Sequence, residues 1–326
     1  MEERTMFRYI AKLGILSRSR YELAVFIAVI IAVTAFTCFA SDQGTKQRKF
    51  KSPEDACNAL IEAARTNDTA ELLAIFGPEA KDIISSGDAV ADMNARESFV
   101  KAAGESVKFS KLDDNTVLAV TGKDECSFPI PIVKSGEEWV FSAEEGKQEI
   151  LNRRIGRNEL NSIQVSLAYV DAQREYAGKD RDGTGILQYA QHFLSHEGKK
   201  DGLYWEATAG EDSSPLGPLV ARAAEEGYSV RKSGEKRKPY HGYYFRILKS
   251  QGSKAPGGAL DYIINGKMTA GFGLLAYPAV YGVSGIMTFV VNQQGIVYEK
   301  DLGPKSEDLA KAVTKYDPDK TWKKAK

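Results

Sequence analysis

The chain has 326 residues, of which 43% are hydrophobic, and its 44 Lys and Arg residues balance its 44 Asp and Glu residues. This balance excludes the strongly basic character that nucleic-acid-binding proteins use to attract phosphates, so we expect no nucleic-acid partner. The length allows one large domain or two of ordinary size.

Residues 23–40 form a run without a charged side chain and read LAVFIAVIIAVTAFTCFA. Several basic residues precede the run, and small residues end it, an order that is typical of an export signal. We therefore expect a periplasmic or extracellular protein. Cleavage after Ala40 would release the rest of the chain as the mature protein.

Two alternatives to cleavage stay open. The apolar run reaches the lower length limit of a membrane-spanning helix, so it could remain as an inner-membrane anchor and give the protein its only membrane contact. Cys38 could instead carry a lipid. If Cys38 is removed, Cys57 and Cys126 remain, either as two thiols or as one disulfide in an oxidising compartment.

Residues 41–49 are polar and predict a linker, and residues 50–145 predict a first module that begins with helices. Ser52, followed by Pro53 and two acidic residues, is a helix-start pattern. The spacing of apolar residues predicts helices over 53–65, 69–76 and 89–103. The apolar period then becomes two, which predicts strands over 107–109, 116–121, 128–134 and 139–142.

Residues 146–322 predict a second module with a long helix over 146–177 and a short one over 187–194. Strands are predicted over 242–249, 273–277, 287–292 and 295–300. Both modules place helices before antiparallel strands, which predicts the α+β class. The element order of the first resembles cystatin-like and nuclear-transport-factor-like folds with a curved sheet.

The second module resembles the globular heads of type II pilins and pseudopilins. The resemblance rests on the Ala172 to Tyr176 helix end, the motifs GYYF (242–245) and AYP (276–278), and a final QGIVY strand (294–298). It implies a long helix that packs on an antiparallel sheet.

The chain as a whole resembles a bacterial exported family known as domain of unknown function 2950. The matching motifs include FKSPEDA (50–56), YVDAQREYA (169–177), YHGYYF (240–245) and VYEKDLGP (297–304). The resemblance implies export from a bacterial cell and brings no established activity or catalytic residue.

A metal site is suggested by Asp180, Asp182 and Thr184, which alternate along the chain ahead of Gly185. Calcium-binding loops alternate oxygen ligands in this way and place glycine at the sharp turn. Calcium is therefore a candidate cofactor, and a solvated Asp-Gly turn is the alternative interpretation.

A ligand site is suggested by His241 and Tyr243, which lie in a dense aromatic segment, with Asp261 as a candidate nearby acid. No complete catalytic signature is present, since His192 and His196 lack the H-E-x-x-H pattern of zinc proteases. We therefore expect a non-enzymatic cell-envelope protein that binds or scaffolds an envelope protein or polymer. The alternative is an envelope-polymer hydrolase that uses His241 and neighbouring carboxylates.

Overall fold

Runs of helices are followed by runs of antiparallel strands in the computed structural model, which describes residues 46–207, 210–230 and 235–325. This architecture confirms the α+β class. Residues from Gln47 onward form one compact unit. The predicted export segment, with its cleavage, anchor and lipid alternatives, lies outside the described residues. No helix among those described is both long and apolar enough to cross a membrane.

Three of the first four helices begin at residues whose side chains cap them. The hydroxyl of Ser52 accepts a hydrogen bond from the backbone N–H of Asp55, and Asp68 and Asp88 cap the second and fourth helices in the same way. The bounds of these three helices confirm the prediction. Helix α3 was not predicted and follows a short 3₁₀ turn. The helices are α1 Pro53–Arg65, α2 Thr69–Phe76, α3 Lys81–Ile84 and α4 Ala89–Glu105.

The first sheet follows these helices and has the order β1-β2-β4-β5, with β3 paired to β2. The strand predicted over 128–134 begins only at Ile132, because Pro129 and Pro131 have no N–H to donate to a ladder. One hydrophobic core joins this sheet to α1 and α2. The strands are β1 Val107–Lys111, β2 Thr116–Thr121, β3 Cys126–Ser127, β4 Ile132–Ser135 and β5 Glu138–Phe141.

The long helix α5, Ala143–Ala177, runs without a break through Gly156. Near its start, a Cβ on Gly146 would lie 2.6 Å from the Cα of Ile130 and from the carbonyl oxygen of Pro129, so only glycine allows this close approach. Farther along, the carboxylate of Glu159 accepts hydrogen bonds from the backbone N–H groups of Ile286 and Met287, where a strand of the second sheet begins. Helix α5 therefore contacts both halves of the described fold.

The second sheet is antiparallel with the order β14-β13-β12-β11-β6, and two small hairpins, β7-β8 and β9-β10, flank it. Helices α6 Gly217–Glu225 and α7 Ser306–Ala312 were not predicted. The strands are β6 Tyr243–Leu248, β7 Ser250–Gln251, β8 Leu260–Asp261, β9 Ile263–Ile264, β10 Lys267–Met268, β11 Gly273–Pro278, β12 Met287–Asn292, β13 Tyr298–Asp301 and β14 Lys323–Lys324.

The helix predicted over 187–194 is wrong. This segment is irregular and forms isolated bridges at Tyr189 and Leu194. The side-chain amide of Gln173 on α5 accepts a hydrogen bond from the N–H of Ala190 at 2.8 Å and donates one to the carbonyl of Ala190 at 2.9 Å. These contacts use backbone groups that a helix would need for its own hydrogen bonds.

Candidate ligand-binding cleft

A cleft of about 330 Å³ lies between α4, the start of α5 and the segment that follows α6. Ligand pockets for small molecules begin at roughly this volume. The floor is apolar and is formed by Leu60, Leu72, Phe76, Phe99, Phe128 and Ile150. The walls carry charged and polar groups, among them Asp92, Arg96, Arg154, Arg157, Glu226 and His241.

Helix α4 leaves room for the cleft because most of the residues it turns toward the space are small or polar, and Phe99 is its one large apolar residue in the lining. Ala103 is the only buried residue of this helix. Ala91, Asn94, Ala95 and Ser98 line the cleft, where a packed helix would place larger apolar side chains. The helix therefore borders the cavity without filling it.

Aromatic rings close the floor beneath α4. The ring centroids of Phe99 and Phe128 are 5.2 Å apart, and Phe128 lies 6.2 Å from Phe76 in a stacked arrangement. Aromatic pairs at these distances are favourable contacts and hold the rings in defined positions. The floor is thus a preformed apolar surface.

His241 lies in the cleft wall on a turn that enters β6. Its backbone adopts the left-handed conformation, with φ +48°, and its ring lies 4.1 Å from Tyr240 and 5.6 Å from Tyr228 between ring centroids. The next residue must be glycine, because a Cβ on Gly242 (φ +75°) would lie 2.5 Å from the side-chain nitrogen of Asn158.

A buried carboxylate holds this turn against α4. Asp88 is 2% exposed and caps α4 by accepting from the N–H of Ala91. Its second oxygen accepts from the hydroxyl of Tyr228 at 3.0 Å and from the N–H of Gly242 at 2.9 Å. The Tyr228 oxygen in turn accepts from the N–H of His241 at 3.2 Å.

A second carboxylate faces the imidazole directly. His241 Nε2 lies 3.1 Å from Glu226 Oε2, although this buried oxygen forms no well-aligned hydrogen bond within the described residues. Burial lowers the pKa of His241, and the negative charges of Glu226 and Asp88 oppose this effect without reversing it. The ring is therefore neutral at neutral pH and can act as a hydrogen-bond partner or as a base.

A family of sequences described as protein of unknown function (DUF2950) matches residues 47–325. The chain belongs to this family. The match spans both sheets and every residue that lines the cleft. Comparisons with curated proteins and with solved structures give no match.

The other predicted ligand residues of this DUF2950 chain lie away from the cleft. Tyr243 is fully buried beside Phe289, and its hydroxyl donates to the carbonyl of Met287 at 2.9 Å. Asp261 is exposed on β8, beyond the far end of β6. The six residues of β6 span roughly 20 Å. The structure therefore does not bring Asp261 to His241.

The predicted metal residues form a loop at the surface. Asp180 accepts from the N–H of Gly185 at 2.7 Å, and Asp182 accepts from the hydroxyl of Thr184 at 2.6 Å. The Lys267 ammonium lies 2.6 Å from Asp182 and is the main cause of a lowered pKa of that carboxyl. No group of three His, Cys, Asp or Glu residues able to hold a metal occurs in the described ranges. Calcium binding stays a prediction that EDTA addition can test.

The other two histidines, and the two cysteines within the described residues, lie elsewhere in the fold. His192 and His196 lie 5.2 Å apart between ring centroids, and His196 Nδ1 is 2.7 Å from Asp201. Cys57 is buried and Cys126 is exposed, and both are free thiols. None of these residues lines the cleft.

Sequence reasoning found His241 but missed its partners. Asp88 is 154 positions from Gly242, and Tyr228 is 140 positions from Asp88. The sequence around Asp88 indicates only a helix cap and does not indicate its contacts with Tyr228 and Gly242. Only the fold brings these residues together.

Proposed function

We propose that this protein is a non-enzymatic binding protein of the bacterial cell envelope and that its ligand occupies the cleft. The cleft carries the proposal, since it combines about 330 Å³ of space, a preformed apolar floor and several polar groups in its walls. Small-molecule sites have this composition, with apolar lining for affinity and a few polar groups for orientation.

Export is part of the proposal and rests on the sequence of residues 23–40. We place the protein in the periplasm or outside the cell, or on the outer side of the inner membrane if the apolar run is retained. The resemblance of the second module to pseudopilin heads stays a prediction, since no solved structure matches the chain. Cell fractionation and the mass of the mature N-terminus test location and cleavage together.

A thermal-shift screen tests binding. Small molecules extracted from bacterial envelopes are added to the purified protein, and a ligand is expected to raise its melting temperature, because binding to the folded state alone stabilises it. Ala95→Trp places a large ring on the cleft side of α4. Met93→Trp adds the same ring to the same helix at an exposed position that does not line the cleft.

The shift is expected for the wild-type protein and for Met93→Trp, and it should be absent for Ala95→Trp. Equal shifts in both variants would contradict binding in the cleft. Circular dichroism of each variant without ligand shows whether α4 keeps its helix.

A second candidate function is hydrolysis of an envelope polymer, with His241 as the base. It is favoured by one observation, the neutral imidazole in the cleft wall 3.1 Å from Glu226. His241→Asn would then abolish turnover, whereas His196→Asn, which lies outside the cleft, would leave it unchanged. Under the binding proposal, the wild-type protein turns over none of the envelope polymers supplied.

A further inference from the structure

The walls of the cleft carry three guanidinium groups that come from two helices. Arg96 belongs to α4, and Arg154 and Arg157 lie one turn apart on α5. Burial lowers the pKa of Arg154, and the positive charges of Arg157 and Arg96 lower it further, while Asp92 and Asp82 oppose this shift. Arg154 is thus close enough to each of the other two guanidinium groups to be repelled by it.

Neutral carbonyls hold two of these arginines in place. Arg154 donates to the carbonyl oxygens of Asp82 and Ile83, and Arg96 donates to that of Ile84 at 2.7 Å. These carbonyl groups belong to the C-terminal end of α3, where backbone carbonyls have no hydrogen-bond partner within the helix. Such contacts orient the guanidinium groups, and a neutral carbonyl cancels none of their formal charge.

No carboxylate within the described ranges lies at ion-pair distance from any of the three guanidinium groups. Arg157, which is exposed, also forms no hydrogen bond to another described residue. Its donors are available to a ligand without first breaking a contact in the protein.

The two carboxylates that line the cleft compensate this charge only in part. Asp92 accepts from the backbone N–H of Ser86 at 3.0 and 3.2 Å, and Glu226 faces His241. Among the side chains that line the cleft, three guanidinium groups thus outnumber two carboxylates above an apolar floor, while the Asp88 carboxylate behind the wall is already engaged by Ala91, Gly242 and Tyr228.

We propose that the ligand is an amphiphile with a single anionic headgroup, a carboxylate or a phosphate, which Arg157 and its two neighbouring arginines bind while the apolar chain lies on the phenylalanine floor. This inference rests on the proposed function, because it names the chemical class that the same cleft accepts. Arginine suits the task, since its planar fork donates two parallel hydrogen bonds to a carboxylate or phosphate.

Isothermal titration of the purified full-length protein at pH 7 tests the proposal with four ligands of one chain length. Octanoate and octyl phosphate are the anions, 1-octanol is neutral and octylammonium is the cation. We expect the better anion to bind about tenfold or more tightly than octanol, which is the scale of one charge-assisted hydrogen bond. Octylammonium should bind more weakly than octanol.

Two charge variants on α5 identify the group responsible. Arg157→Gln should reduce the preference for the anion over octanol about tenfold. Arg153→Gln removes the same charge one turn from Arg157 on the same helix, where Arg153 pairs with Glu149 outside the cleft. This control should keep the wild-type preference, and neither change breaks a contact with the carbonyls of α3.

Failure of this inference is distinguishable from failure of the proposed function. If octanol or octylammonium binds as tightly as the anions and Ala95→Trp abolishes that binding, the cleft binds ligands and the anionic class is wrong. Equal anion preference in Arg157→Gln and Arg153→Gln also overturns the inference. If binding survives unchanged in Ala95→Trp, the ligand lies elsewhere and both proposals fail.

Discussion

Replacing Asp88 with alanine should destabilise the protein far more than the loss of an ordinary helix cap. The Asp88 carboxylate accepts three hydrogen bonds, from the N–H groups of Ala91 and Gly242 and from the hydroxyl of Tyr228. It is 2% exposed, so water cannot replace the carboxylate at the buried Gly242 N–H once the side chain is shortened.

The expected loss follows from these contacts. Removal of the cap costs about 1 kcal/mol. The N–H of Gly242 is left buried without an acceptor, which costs about 1–3 kcal/mol, and the partly buried Tyr228 hydroxyl adds about 1 kcal/mol. The free energy of unfolding should therefore fall by about 3–5 kcal/mol.

Asp68 supplies the matched control, because it caps α2 through one hydrogen bond to the N–H of Glu71 and is exposed. Asp68→Ala should cost only about 1 kcal/mol. Urea denaturation followed by circular dichroism measures both variants against the wild-type protein. Equal losses for Asp68→Ala and Asp88→Ala would refute the reasoning that Asp88 anchors the cleft wall.

Three further predictions concern single side chains. Gly146→Ala should lower the free energy of unfolding by about 1–3 kcal/mol, because the added methyl group overlaps neighbouring backbone. Gly156→Ala on the same helix, where no atom would lie within 4 Å of the added methyl group, should raise the free energy of unfolding by up to about 1 kcal/mol. Urea denaturation measures both changes. Iodoacetamide at pH 8 should label exposed Cys126 quickly and buried Cys57 only after unfolding. Cys57 resists because burial and the charge of Glu54 raise its pKa to about 11. Peptide mass spectrometry measures the labelling of each cysteine. Burial lowers the pKa of His241 in the folded protein below its value of about 6.5 in the unfolded chain. Between these two pKa values the unfolded chain binds more protons than the folded protein. Stability should therefore fall as the pH drops from about 6.5 through the lower folded pKa. His241→Asn, which tolerates the positive φ, should lose that part of the pH dependence in urea denaturation.

The parts of the fold that depend on local chemistry were predictable from sequence. Ser52 caps a helix that has the predicted bounds, and the apolar period of two located β2. Caps and periodicity act over a few residues, so the sequence reports them directly.

Long-range contacts were not predictable in the same way. The apolar residues around Ala190 suit a helix, but Gln173 on α5 takes up the backbone groups of Ala190 and holds the segment irregular. The site shows the same limit. His241 stood out by its aromatic neighbours, whereas Glu226 and Asp88 gave no signal that they would approach it, because the turn at Gly242 brings them together only after the fold forms.

The ligand that accompanies the purified protein is the most direct test of the cleft as a binding site. Wild-type protein, Met93→Trp and Ala95→Trp are purified from the same host under one protocol, extracted with organic solvent and analysed by mass spectrometry. Binding in the cleft predicts one small molecule that is enriched in the wild-type protein and in Met93→Trp and is depleted in Ala95→Trp. Equal amounts in all three extracts, or no enriched molecule in the wild-type extract, would contradict it.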